Sequence, residues 1–193
     1  MGQRSQIYIR YNVKGNKGMI ARYYQWNYGE RMISRARGII ETIKNSYLKY
    51  TILWEGGIGI EKLSRICDVN FDMRDIVMSQ DIIKEVKEVW DGDLYYLFHQ
   101  HNNDGQLLID VTDDGIKYGF IPYCDAEFPM DPERYMEWNN DAEVSWDTPR
   151  RYMAKEIILY TKENIKYIME NAELMTAEEM KKFLTADYSY LLD

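Results

Sequence analysis

The chain of 193 residues contains little cysteine, histidine or proline, and it has no long apolar run. Its two cysteines, Cys67 and Cys124, stand far apart without a CxxC pattern, which argues against a disulfide framework or a cysteine-built zinc site. No apolar stretch approaches the roughly 18–20 residues that a membrane helix needs, and the N-terminal residues lack the apolar segment of a signal peptide. We therefore expect a soluble protein of the cytoplasm.

Charge is distributed unevenly along the chain. The formal net charge is −8, from 24 Lys and Arg against 32 Asp and Glu. Residues 1–70 hold 12 basic and 5 acidic side chains, whereas residues 71–193 hold 12 basic and 27 acidic ones. A charge split of this size indicates which partners the protein attracts and how fast they associate, and it does not indicate the fold. Hydrophobic residues make up 46% of the chain, enough for a core, so a largely disordered protein is excluded.

The N-terminal residues predict a β-hairpin followed by a helix. Apolar and polar residues alternate over 7–13, the segment 14–18 has the glycines of a turn, and residues 19–26 read as the returning strand. Asn27 and Glu30 have the spacing of a capping box, and apolar residues then recur at helical spacing. We expect the helix to begin directly after Asn27.

Further along the chain, alternation and turn residues predict one group of strands and several helices. The predicted elements are a strand over 50–54, a helix over 72–90, strands over 94–100, 106–112 and 116–122, an irregular segment over 124–149, a helix over 150–170, and a last helix from the capping box at Thr176 to about Ala186. This order predicts one α+β domain over 1–193, with a basic N-terminal module (1–70), an acidic remainder (71–193) and a helical C-terminal region (150–186). Its sheet is expected to be antiparallel, built from the N-terminal hairpin and a three-stranded meander.

Patterns typical of catalysis are weak. The run Gly56-Gly57-Ile58-Gly59 lacks the third glycine of GxGxxG and the Lys-Ser/Thr of a P-loop, so a connecting loop accounts for it. His99 and His101 with Asp110 could form a metal site, although neutral imidazoles at a polar turn explain the same residues. We expect no catalytic residue, cofactor or metal, and a hydrolase or metal enzyme is the least favoured function.

An acidic segment gives a stronger signal. Residues 125–147 hold eight carboxylates and one arginine, with Trp138 and Trp146 between them. Such a composition favours a surface that meets a basic partner, and spaced carboxylates can imitate phosphates; an ordinary solvated loop has the same composition. The candidate partner-binding residues are Asp125, Glu127, Asp131, Glu133, Glu137, Asp141, Glu143 and Asp147.

The basic N-terminal module combines arginine with tyrosine. Arginines and aromatic rings on a hairpin can contact phosphates and stack on bases. A competing use is pairing with the acidic half, within one chain or head-to-tail in a homodimer. The candidate residues for nucleic-acid or dimer contact are Tyr8, Arg10, Arg22, Arg31, Arg35 and Arg37.

The first 45 residues or so resemble short uncharacterised proteins from phages, plasmids and integrative elements of Gram-positive bacteria. The likeness lies in the start Met1-Gly2-Gln3-Arg4, the alternating strand, and Tyr24-Gln25-Trp26-Asn27 before the first helix; Asn27-Tyr28-Gly29 replaces the family's Trp-Asn-Gly-Gly-like turn. Small acidic proteins of this setting include anti-CRISPR inhibitors, so the resemblance implies a counter-defence protein in a bacterial host cell.

These observations lead to two hypotheses of different classes. The first is a non-enzymatic inhibitor that binds a host nucleic-acid enzyme directly, foremost an RNA-guided type II CRISPR nuclease, with the acidic segment acting as a DNA mimic. The alternative is a nucleic-acid-binding regulatory protein that uses the arginine-rich hairpin and helix.

Overall fold

The computed structural model describes residues 4–45, 67, 78–139 and 155–193, which form an α+β fold. The predicted strand over 50–54 and the glycine run at 56–59 lie outside these residues. The strands are β1 (Arg4–Val13), β2 (Asn16–Gln25), β3 (Met78–Asp81), β4 (Gln106–Thr112), β5 (Ile116–Ile121) and β6 (Glu173–Leu174). The helices are α1 (Glu30–Lys44), α2 (Ile82–Glu88), α3 (Pro132–Asn139), α4 (Lys155–Asn171) and α5 (Ala177–Leu184), with short 3-10 helices at Leu94–Leu97 and Ser189–Leu191.

The six strands form one mixed sheet in the order β3-β2-β1-β4-β5-β6. The predicted hairpins are confirmed for β1–β2 and β4–β5, and the first is closed by Lys14 and Gly15, whose φ angles of 49° and 81° suit the type I′ turn of a two-residue loop. The expectation of a purely antiparallel sheet is wrong, because β1 runs parallel to β4, and β5 runs parallel to β6. Parallel neighbours need a long crossover, and the chain between β1 and β4 includes α1.

Alternation along the strands divides the core between the two faces of the sheet. Ile7, Ile9 and Ile109 pack with α1, α3 and α4 on one side, called here the α1 face. Tyr8 and Leu108 pack with α2, α5 and the 3-10 helices on the other side, called here the α5 face. Both faces are therefore covered by apolar side chains, as the period of two in a strand requires.

Two predicted helix starts differ from the structure. Helix α1 begins at Glu30 with Gly29 as its N-cap, so the capping box at Asn27 is wrong; Asn27 is buried, and its Oδ1 accepts a hydrogen bond from Arg35 Nε at 2.9 Å. Helix α2 begins only at Ile82, because Met78–Asp81 pairs with β2 and the Asp81 side chain then accepts a hydrogen bond from the Lys84 N–H. Residues 72–77 of that predicted helix lie outside the described residues.

Two predictions in the second half also fail. The segment 94–100 contains a 3-10 helix rather than a strand, because Asp93 caps it by accepting from the Tyr95 N–H. The segment 124–149 is not wholly irregular, since α3 occupies 132–139 with Pro132 as its first residue; residues 140–149 lie outside the described residues. The helix predicted over 150–170 is confirmed as α4 for the part from 155 onward, and residues 150–154 lie outside the described residues. The capping box between Thr176 and Glu179 is also confirmed.

Candidate partner-binding surface

Two of the six residues predicted to contact nucleic acid or a second copy are buried. Tyr8 is 0% exposed and Arg35 is 1% exposed, so neither reaches a partner and both assignments are wrong. The Tyr8 hydroxyl donates to the Leu97 carbonyl at 2.7 Å. The Arg35 guanidinium donates from Nη1 to the Cys67 carbonyl at 2.6 Å and lies 4.8 Å from the centre of the Tyr24 ring. Both side chains therefore serve the core.

Arg10 is bound by its own chain on three sides. Its Nε and Nη2 donate to the two carboxylate oxygens of Asp110 at 2.9 and 2.6 Å, and its Nη1 donates to the Tyr188 hydroxyl at 3.2 Å. The guanidinium carbon also lies 4.3 Å from the centre of the Phe183 ring. Burial lowers the pKa of Arg10, but the hydrogen bond to Asp110 and the neighbouring charges outweigh it and raise the pKa. Arg10 therefore joins β1 to β4 and to the C-terminal residues.

The other three arginines also have partners within the chain. Arg22 pairs with Asp81 at 3.6 Å. Arg31 donates to the Trp26 carbonyl at 2.9 Å, and Arg37 donates to Asn164 Oδ1 at 2.8 Å and approaches a carboxylate of its own helix. Because Asp110 and Asp81 belong to the acidic remainder, Arg10 and Arg22 follow the competing use of the basic module, pairing with the acidic half inside one chain.

The acidic residues have a different environment. Asp125, Glu127 and Asp131 lie in the loop between β5 and α3, and Glu133 and Glu137 lie on α3; all but Asp131 are exposed. Asp131 is half-buried and accepts a hydrogen bond from the Arg134 N–H at 2.8 Å, which caps the helix. The remaining predicted residues, Asp141, Glu143 and Asp147, lie outside the described residues.

The exposed carboxylates of this segment are not neutralised by the part of the chain that the structure describes. In that part, Asp125, Glu127, Glu133 and Glu137 form no salt bridge, unlike Glu179, which lies 2.6 Å from Lys117 Nζ. The charged side chains of this surface that have no ion-pair partner among the described residues are therefore negative. The arginines of the basic module, by contrast, mostly bind groups of the same chain.

Two exposed aromatic side chains lie in the same loop as Asp125 and Glu127. Tyr123 is 57% exposed and Phe128 is 64% exposed. The candidate residues predicted from the sequence do not include them, although aromatic residues on both sides of Asp125 and Glu127 were a usable signal. Aromatic side chains are common anchors of protein interfaces, and surrounding charges steer the encounter. We define the acidic loop as residues 122–129.

The acidic loop has a fixed base at the β5 side of the sheet. Phe120 and Met130 exchange two backbone hydrogen bonds at its two ends, of 3.0 and 2.6 Å. Pro129 packs so closely on Gly119 that a Cβ at this glycine would lie 2.8 Å from the Pro129 Cβ. Such a base orders the loop before binding and lowers the entropy that binding costs.

The acidic segment passes from one face of the sheet to the other. Cys124 and Ala126 of the loop pack against the core of the α5 face, whereas Met130, Tyr135 and Met136 belong to the core of the α1 face. The segment therefore crosses from one side of the sheet to the other beside β5, where Met130 pairs with Phe120. Its exposed carboxylates carry negative charge that is complementary to a basic surface.

The residues of the proposed metal site are engaged elsewhere. His99 stacks on the Tyr95 ring, and its Nδ1 lies 2.8 Å from the Tyr95 carbonyl. His101 Nδ1 lies 2.7 Å from Arg4 Nη1, and both Asp110 carboxylate oxygens face Arg10. Among the described residues, no three His, Cys, Asp or Glu side chains are grouped closely enough to hold a metal ion.

In the described ranges, none of the helices is both long and apolar enough to cross a membrane. No protein-family model matches this chain, and no curated protein or solved structure matches it either. The structural observations that bear on function are therefore those of the surface itself, namely its charge, its aromatic residues and the order of its base.

Proposed function

We propose that this protein acts by binding rather than catalysis, and that its acidic loop and α3 occupy the basic nucleic-acid channel of a host enzyme, thereby inhibiting it. The observation that carries the proposal is the row of exposed carboxylates, Asp125, Glu127, Glu133 and Glu137, which have no salt bridge among the described residues. Tyr123 and Phe128 supply apolar anchors beside them.

The physical argument concerns both the rate of binding and its specificity. A surface of one charge sign attracts a channel of the opposite sign at long range and raises the association rate. Carboxylates spaced along an ordered edge repeat the negative charge of a phosphate backbone, so they compete with nucleic acid for the same lysines and arginines. The aromatic side chains then add buried area that the charges alone cannot supply.

The target that we propose is an RNA-guided type II CRISPR nuclease inside a bacterial host cell. Such an enzyme holds its RNA–DNA duplex in a positively charged channel, which is the complement of this surface. The resemblance of residues 1–45 to proteins of phages and other mobile elements supports the choice, because these elements gain from disabling such a nuclease. The protein would thus be an anti-CRISPR inhibitor that needs no cofactor.

The alternative function, a nucleic-acid-binding regulator, receives less support. Its six proposed contact residues include two that are buried, Tyr8 and Arg35, and the other four have partners within the chain. The net charge of −8 also repels nucleic acid.

The proposal is tested by DNA cleavage with a purified type II nuclease and its guide, in the presence of increasing amounts of this protein. The test variant is Asp125→Asn with Glu127→Gln. A matched control is Glu156→Gln with Glu163→Gln, which removes the same charge from exposed positions on α4, outside the acidic loop and α3. We expect the loop variant to need roughly 5- to 30-fold more protein for half inhibition, from about 0.5–1 kcal/mol for each lost charge pair.

The control variant should inhibit as well as the original protein, and higher salt should weaken inhibition by both. Undiminished cleavage at large molar excess across several type II nucleases would refute the choice of target. Equal loss of inhibition in the loop and control variants would show that net charge, and not this surface, is responsible.

A further inference from the structure

Four aromatic rings form a continuous row on the surface of the α5 face, and the proposed function does not use them. The Trp90 and Tyr96 rings stack with centres 4.1 Å apart, Tyr96 meets Tyr95 edge-on at 5.4 Å, and Tyr95 stacks on His99 at 4.1 Å with planes only 7° apart. We call Trp90, Tyr95, Tyr96 and His99 the aromatic row.

The row is partly open to solvent. Trp90 is 37% exposed, Tyr95 is 60% exposed, and His99 is exposed. Large rings usually bury their area, so a contiguous set at the surface marks an interaction site more often than isolated exposed residues do.

Backbone hydrogen bonds hold the row in place. The Gly92 N–H donates to the Val86 carbonyl at 2.9 Å, and the Asp93 N–H donates to the Trp90 carbonyl at 2.9 Å, so the turn after α2 is closed. The Asp93 side chain then caps the 3-10 helix that carries Tyr95 and Tyr96. The rings are therefore ordered before any partner arrives, which reduces the entropy lost on binding.

The charge around the row is negative. Residues 84–99 contain four carboxylates and two lysines, and one of those lysines, Lys84, lies 3.9 Å from Glu88. Asp91 and Asp93 are exposed beside Trp90 and Tyr95, and neither forms a salt bridge within the described ranges. Ring faces next to carboxylates favour a planar cation, since a guanidinium stacks on the ring while its N–H groups bind the carboxylate. The same carboxylates repel the phosphates of a nucleic acid.

The row lies on the same face of the sheet as the inner side of the acidic loop. Tyr8 lies beneath the row, because its hydroxyl donates to the carbonyl of Leu97, within the segment of the row. Burial above all, and then the nearby Cys124 of the acidic loop, raises the pKa of Tyr8. Cys124, Ala126 and Tyr96 all pack against the same core. One partner can therefore contact the loop and the row together.

We infer that the aromatic row is a second contact area for the basic partner, and that it takes arginine side chains, with guanidinium groups stacked on Tyr95 and Trp90 and paired with Asp91 or Asp93. This inference rests on the proposed function for the basic character of the partner. It adds to the proposed function a preference for arginine over lysine at the row, because a guanidinium can stack on a ring and bind a carboxylate at the same time.

The test measures binding of two probes, a peptide of nine arginines and a peptide of nine lysines, to the full chain by titration calorimetry or fluorescence anisotropy. We expect the arginine peptide to bind more tightly. The variant Tyr95→Ala should weaken arginine binding about two- to fivefold, from the strength of one exposed cation–π contact, and leave lysine binding nearly unchanged. Tyr95→Phe keeps the ring and should restore arginine binding.

Two control variants separate this inference from the proposed function. Tyr160→Ala removes a tyrosine of similar exposure, 49%, from α4 and should leave both dissociation constants unchanged. The loop variant Asp125→Asn with Glu127→Gln should weaken both peptides by the same factor, so the ratio of their affinities changes only when the row is altered. Circular dichroism on each variant establishes that the fold is kept.

An unchanged ratio in Tyr95→Ala would overturn the inference, even if the loop variant still loses inhibition of the nuclease. Binding of a single-stranded oligonucleotide that is lost in Tyr95→Ala would also overturn it, because the row would then stack bases. A protein whose loop variant still inhibits the nuclease, but whose row selects arginine, would instead contradict the proposed function alone.

Discussion

Asp110→Ala should destabilise the protein because it leaves the Arg10 guanidinium half-buried without its carboxylate. The two side chains are 21% and 18% exposed, and two hydrogen bonds of 2.9 and 2.6 Å join them in the bidentate geometry of a strong arginine–carboxylate pair. The pair joins β1 to β4, which are parallel neighbours, and Arg10 and Asp110 lie 100 positions apart in the chain. Loss of this pair should therefore weaken the contact between the two central strands of the sheet.

The magnitude follows from burial. A hydrogen bond to a charged group contributes about 1.5–3 kcal/mol when buried, and partial exposure of both partners lowers the value for this pair, so we expect a coupling free energy of about 2 kcal/mol. Removal of Asp110 alone should cost somewhat more, about 2–3 kcal/mol, because Arg10 is left desolvated. At roughly 2–4 °C per kcal/mol for a domain of this size, Tm should fall by about 4–12 °C.

The assay is a double-mutant cycle measured by urea unfolding. Arg10→Met keeps the apolar stem that packs on Phe183, Asp110→Ala removes the acceptor, and the double variant carries both changes. The double variant should be far more stable than the sum of the single losses implies. The exposed pair Lys84–Glu88, at 67% and 64% exposure, provides a control cycle with an expected coupling of at most about 0.5 kcal/mol.

A coupling below about 0.5 kcal/mol for Arg10 and Asp110 would refute the reasoning. So would an Arg10→Met variant that keeps full stability but loses salt-sensitive binding of nucleic acid, since Arg10 would then act as a contact residue rather than as a structural one.

Two further variants examine the supports of the fold. The hydrogen bond from Lys117 and the backbone N–H of Thr176 hold the pKa of Glu179 at about 2, so its stabilising contribution is present above the unfolded pKa near 4.5 and is lost as the pH falls towards 2. The urea midpoint should therefore fall less steeply over this pH range in Glu179→Gln than in the original protein, and parallel curves would contradict the assignment. Gly119→Ala places a methyl group 2.8 Å from the Pro129 Cβ, so it should lower the free energy of unfolding by about 1–3 kcal/mol. It should also weaken partner binding through the acidic loop. Unchanged stability would contradict the close packing.

Local patterns predicted the elements that depend on neighbours in the sequence. The hairpin of β1 and β2, the hairpin of β4 and β5, and the capping box of α5 involve residues within a few positions of one another, and their turn and cap residues are visible in the sequence. The prediction of a strand over 94–100 was wrong, because the apolar residues of this segment suit a strand as well as a turn that faces the core. The cap from Asp93 favours the 3-10 helix.

The candidate site was predicted only in part for the same reason. Composition located the acidic segment, and its exposed carboxylates Asp125 and Glu127 lie where a partner can reach them. Composition could not tell an arginine on the surface from one in the core, and Arg35 is buried among Asn27, Tyr24 and the Cys67 carbonyl. A long side chain with five donors can satisfy itself inside a protein when carbonyl and amide oxygens surround it.

By itself, the sequence determined the α+β class, the hairpins, the charge split and the position of the acidic segment along the chain. Only the tertiary structure decided that β1 lies parallel to β4, and that Arg10 and Arg22 pair with Asp110 and Asp81. It also decided that the apolar residues of the acidic segment pack on both faces of the sheet. The physical reason is range. Periodicity and caps act over a few residues, whereas strand order and ion pairing join residues tens of positions apart, and the hydrophobic burial that selects them is a property of the whole core.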